Sequence, residues 1–185
     1  MNKLLLSAAL VAGLGVVALG AQTANAATAS SGTITITGQV VSSTCNVLVN
    51  GSASPSIALP VLDTNTLTAG TSGGWTAVNM VLNGCGAVAG YTKVLPHFSG
   101  ANIDTANGYL KNTTSGGSNV EIALSTSQGT AGALTLASTS GNQGAGSMLL
   151  SAAGATFNYY AGYVATAAAT AGGVNTSVQY DLNYQ

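Results

Sequence analysis

The sequence predicts an all-β domain behind a removable leader. Three observations carry that reading. Apolar residues recur at a spacing of two in many short runs, the period of a half-buried strand. Clusters of Gly, Ser, Asn and Thr punctuate those runs. Beyond the leader, no stretch keeps a convincing helical period.

The leader comes first. Lys3 gives a positive start, Leu4 to Leu19 is an apolar run, and Ala24-Asn25-Ala26 is a small-x-small cleavage site. This is the pattern of a secretory signal peptide, with cleavage expected after Ala26. The run is short and contains Gly, and no stop-transfer segment follows, so a membrane anchor is disfavoured. Residues 1–26 are set aside as leader, and one domain's worth of chain remains.

The strand-like runs then follow in order. Thr33 to Val41 alternates Ile34 and Ile36 against Thr33, Thr35 and Thr37. Cys45 to Val49 follows, closed by the Asn50-Gly51 turn signal. Ile57 to Leu62 is a short apolar stretch broken by Pro60, and Thr68 to Gly74 reads as a loop. Trp75 to Leu82 sets Val78, Met80 and Leu82 against Ala77, Asn79 and Val81. Asn83-Gly84 turns the chain at Cys85. Tyr91 to Phe98 is interrupted by Pro96. Asn119 to Ser125 carries Val120, Ile122 and Leu124 on one face. Ala131 to Leu136, Phe157 to Thr166 and Val174 to Gln185 complete the set. The Ala-rich 161–171 stretch reads as strand then loop, because Gly, Thr and β-branched residues interrupt it. Short strands between Gly-rich turns indicate a sandwich or barrel.

Composition excludes several functions. Charged residues are only 4% of the chain, and apolar residues 46%. Without the leader, Lys93 and Lys111 face Asp63, Asp104, Glu121 and Asp181. There is no basic patch for phosphates, so nucleic acid is not an expected partner. High hydropathy with low charge is the reverse of a disordered chain. Acid–base catalysis needs positioned titratable groups, and the pool is one histidine, His97, and four scattered carboxylates. No G-x-S-x-G and no phosphate-loop ending occurs. The chain is expected to be no enzyme and to carry no cofactor or metal; His97 reads as a strand-end polar residue. Tyr159, Tyr160, Tyr163, Tyr180 and Tyr184 crowd the C-terminal end. They read as core and interface packing, with a sugar platform as the alternative.

Cys45 and Cys85 are the only cysteines. An even count in an exported chain implies a disulfide, because the compartments beyond the inner membrane are oxidising. Closing a loop of about 40 residues stabilises a fold by roughly 4 kcal/mol when chain entropy alone is counted.

Three segments together resemble the major pilin subunits of chaperone–usher fimbriae of the type 1 kind. Gly32-Thr33-Ile34-Thr35-Ile36-Thr37-Gly38-Gln39 running into Val40-Val41-Ser42-Ser43-Thr44-Cys45 is similar to the family's N-terminal strand. Val78-Asn79-Met80-Val81-Leu82-Asn83-Gly84-Cys85 is similar to its strand ending at the second cysteine. Phe157 to Gln185 looks like its last two strands, with Gly172 and Tyr184 at the family's near-terminal glycine and penultimate aromatic.

The resemblance implies an incomplete immunoglobulin-like sandwich, completed by a donor strand from a neighbouring subunit. Residues 27–38 would be the donor extension and 39–185 the pilin domain. One face of the donor, Gly32, Ile34, Ile36 and Gly38, would enter a neighbour's groove. The groove edge that also meets the chaperone would be Gly172, Val178, Tyr180, Leu182 and Tyr184. Implied partners are identical or related pilin subunits, a periplasmic chaperone and an outer-membrane usher. The implied place is the cell surface, reached through the periplasm, in a structural fimbria that supports adhesion. The competing readings are a minor or tip subunit, and a secreted β-sandwich binding module.

Overall fold

The computed structural model describes residues 33–38, 45–86, 90–150 and 154–185. Residues 1–26, Gly32 and residues 39–44 lie outside the described residues, and so do the leader, one donor position and the start of the pilin domain. The chain divides into two units, Met1–Gln39 and Val40–Gln185. In the first unit, residues 33–38 carry no assigned strand. Ile34 and Ile36 are 87% and 90% exposed there.

The second unit is all-β. Its strands are β1 (Asn46–Val49), β2 (Ser72–Asn83), β3 (Lys93–Ser99), β4 (Val120–Ser125), β5 (Met148–Leu149), β6 (Ala155–Ala165) and β7 (Gln179–Tyr184). They form two antiparallel sheets, ordered β1-β2-β6-β4 and β5-β3-β7. Met80, Leu82, Ile122, Leu124, Phe157 and Tyr159 from the first sheet share one core with Val94 and Phe98 from the second. Phe98 meets Tyr159 edge-on at 5.5 Å across that core, and Phe157 stacks on Tyr159. Burial pushes the Tyr159 phenol above its ordinary pKa, so it stays a donor, to Ala145 O at 2.6 Å.

The period of two explains the longest strands. In β2, Met80 and Leu82 are buried while Ala77 and Asn79 are exposed, as the alternation requires. The turn after β1 needs two residues of positive φ, and Asn50 (47°) and Gly51 (82°) supply them. The Asn50 side chain also clamps β2. It accepts from Asn79 N at 2.8 Å and donates to Ala77 O at 3.0 Å. The Cys45–Cys85 disulfide ties the start of β1 to the residues just after β2.

Three departures from the pattern have local causes. First, β2 starts at Ser72, inside the expected loop, because a bulge between Gly73 and Thr76 absorbs an irregular register against β6. Second, Ala131–Leu136 is not a strand. Thr130–Gly132 forms a 3₁₀ turn, and Leu134 and Leu136 are buried from coil. Third, β7 begins only at Gln179; residues 173–178 are extended without a ladder.

Pro96 sits inside β3 without breaking it. Phe98, two residues on, turns its backbone away from β7 and receives the buried Gln143 side chain instead of a strand. Phe98 N donates to Gln143 Oε1 at 2.8 Å, and Gln143 Nε2 donates to Phe98 O at 2.7 Å. Pro96 shares that orientation, so its missing N–H falls where β7 asks for none. Gln143 therefore acts as a one-residue strand. Gln143→Leu is expected to strand three buried backbone groups, Phe98 N, Phe98 O and Leu136 O, and cost about 2–4 kcal/mol in urea unfolding. A loss below about 1 kcal/mol would show that the side chain is dispensable.

Candidate strand-binding groove

An open groove of about 1000 Å³ runs along the sandwich. Its floor is core: Met80, Phe98, Ile122, Leu124, Tyr159 and Ala161 line it. Its two walls are extended segments. One is 53–59; the other runs from Val174 through Val178 into the start of β7.

The β7 wall is an open sheet edge. Successive residues of an extended chain aim their backbone groups at opposite edges. Asn175 N donates to Asn112 Oδ1, Thr113 N donates to Asn175 O, and Asn102 Nδ2 donates to Ser177 O. Gln185 exchanges both its bonds with Lys93. The odd-numbered residues thus face β3 and the 102–113 loop. Val174, Thr176, Val178, Tyr180 and Leu182 face the opposite edge, and β7 is the last strand of its sheet. Among the described residues nothing pairs with that edge. The buried Thr176 Oγ1 on this wall also has no hydrogen-bond partner.

The facing wall was not singled out in the sequence as a binding element. Pro55, Ile57 and Leu59 are half-buried, alternating with exposed Ser54, Ser56, Ala58 and Pro60. The alternation is that of a strand, but no ladder is assigned.

The expected groove residues fall as follows. Val178 and Tyr180 line the groove. Leu182 and Tyr184 share their face and pack against the core, outside the groove lining. Gly172 lies before the wall, where a Cβ would stand 2.6 Å from Gly117 C and Ser118 N. Its role there is close backbone approach. Among the expected donor residues, Ile34, Ile36 and Gly38 are described, and all are exposed.

Among the described residues the titratable groups assemble no active site. Asp104 and Glu121, distant in sequence, meet at the surface. Asp104 is held below its ordinary pKa, first by the Ala106 N–H, while burial raises Glu121. Asn107 Nδ2 donates to Glu121 Oε2 at 2.6 Å, and Lys111 Nζ lies 3.9 Å from Asp104. Among the described residues no group of three or more His, Cys, Asp or Glu is placed to hold a metal.

A sandwich with an apolar trough and an open terminal edge has known counterparts. The family model described as "Fimbrial protein" matches residues 34–185. The chain belongs to the fimbrial protein family. It is 37% identical over 172 residues to the F17 fimbrial protein of Escherichia coli, covering 90% of this chain and 94% of that one. It is 35% identical over 175 residues to the major fimbrial subunit SMF-1 of Stenotrophomonas maltophilia (strain K279a), covering 86% and 95%. The crystal structure of the P pilus rod subunit PapA superposes with a TM-score of 0.59 at 19% identity, covering 77% of this chain and 99% of that one. That likeness shows the fold, an incomplete immunoglobulin-like sandwich. This fimbrial protein is a structural subunit of a surface fimbrium and not an enzyme.

Proposed function

We propose that this subunit polymerises by donor-strand exchange. Residues 27–38 of one copy fill the groove of the next. Gly32, Ile34, Ile36 and Gly38 face inward, and Thr33, Thr35 and Thr37 face out. The observation that carries the reading is the groove itself: an apolar trough between two extended segments that lack ladders, in a chain whose N-terminal segment exposes two isoleucines. An unpaired edge of this kind is an aggregation hazard unless covered, and it is a template for an added strand.

The same edge explains the expected transit. After cleavage behind Ala26, a periplasmic chaperone covers the groove, and an outer-membrane usher passes subunits into a fimbria that supports adhesion. Val178 and Tyr180 then serve both chaperone and donor, with Leu182 and Tyr184 continuing that face and Gly172 fixing the turn before it.

Sheared surface material, immunoblotted after SDS gels with and without hot acid, tests the reading. Strand-exchanged polymers are kinetically trapped and resist SDS. A multimer ladder that collapses to one band in hot acid is the expected result. A single monomer band in both lanes would overturn it.

A further inference from the structure

The groove walls meet at both ends, in chemically different ways. At one end Leu62 and Val174 pack on a shared apolar cluster of Leu67, Val120 and Ala165. At the other end a single side chain crosses the gap. Tyr180 Oη donates to Ala53 O at 3.1 Å, joining residues 127 positions apart in sequence. Tyr180 and Ala53 both line the groove, one from each wall, and the Tyr180 ring packs against the core.

We propose that Tyr180 and Ala53 form a clasp, and that opening it limits the rate at which the groove admits a strand. The inference rests on the strand-exchange reading above. A strand seated between two open edges stands one ladder spacing, about 4.8 Å, from each. The Tyr180 ring spans that space from wall to wall. It must leave its position, by a change of staggered rotamer, before backbone can pair with the β7 edge beside it. The apolar end has no such single bond to break. The clasp bond is exposed, so it acts as a brake on admission and not as a lock.

The filled groove has no clasp to lose, so the bond acts on admission and reaches affinity only through it. Tyr180→Phe keeps the ring and its packing and deletes only the bond. Tyr180→Leu keeps apolar packing without a ring that reaches Ala53.

The test uses the full chain without its leader, refolded at low concentration. A fluorescent synthetic peptide with the sequence of residues 27–38 is added, and its uptake is followed by anisotropy. Tyr180→Phe is expected to take up peptide about two- to tenfold faster than wild type, the range set by one exposed hydrogen bond. Tyr180→Leu is expected to be at least as fast. Uptake by Tyr180→Phe at the wild-type rate or slower overturns the clasp and leaves strand exchange standing. No uptake by wild type or either variant overturns both.

Discussion

Replacing Ile34 and Ile36 together by aspartate is expected to abolish polymer while leaving the sandwich folded. Both side chains are almost fully exposed in the chain by itself, so removing them costs the subunit no core. In a neighbour's groove each isoleucine would contribute about 1.5–3 kcal/mol by leaving water. Two carboxylates in the same apolar trough would instead need partners that its floor of Met80, Phe98, Ile122 and Leu124 does not offer. The effect is therefore larger than the lost contacts alone. Urea unfolding of the variant is expected to match wild type, and the SDS-resistant ladder to vanish. A normal ladder would sink the assignment of 27–38 as donor. A collapsed urea midpoint would make the isoleucines ordinary core residues.

What was legible in the sequence follows the range of the interactions. In β2 and the first half of β6, each strand is buried on one face by residues of its own domain, so alternation reports the face directly. The Asn50-Gly51 turn was legible because its demand, two positive φ angles, is local. The resemblance pointed to the last strand and parity to its inward face, and of those residues Val178 and Tyr180 lie on the groove wall. The start of β7 was misread because Val174 to Val178 keeps strand parity while its ladder partner is missing; pattern reports a face, not a pair. The 53–59 wall was harder still. Pro55 and Pro60 break the apolar run, and its three inward residues face a trough instead of a packed sheet. Buried Leu134 and Leu136 follow strand spacing too, yet Thr130–Gly132 curls into a 3₁₀ turn held by contacts from Ser125 and Thr126 that the pattern does not show. Gln143 gave no signal, since a side chain that substitutes for a strand is visible only once β3 is in place. The orphan Thr176 hydroxyl is a local rule broken at the surface proposed to receive a strand.

Val178→Asp is expected to fail in the complementary way. Val178 is half-buried on the groove wall, packed against the core edge, and its backbone belongs to the open side. A carboxylate there meets an apolar floor and, after strand addition, the inward face of the donor. Acceptance is expected to fall by at least a hundredfold, about 2.7 kcal/mol, a modest figure for burying an unpaired charge. Donation is untouched, because residues 27–38 are intact. The two variants therefore predict an outcome when mixed that neither gives alone. Val178→Asp subunits can insert a donor but not receive one; the Ile34/Ile36 double variant can receive but not insert. The mixture is expected to stop at SDS-resistant heterodimers, resolved on one gel with differently tagged chains. Long ladders from the mixture would mean that donor and groove are not the two halves of the contact. Monomers alone would mean that Val178→Asp had also lost the power to donate, and that β7 and the N-terminal segment act together rather than on separate copies.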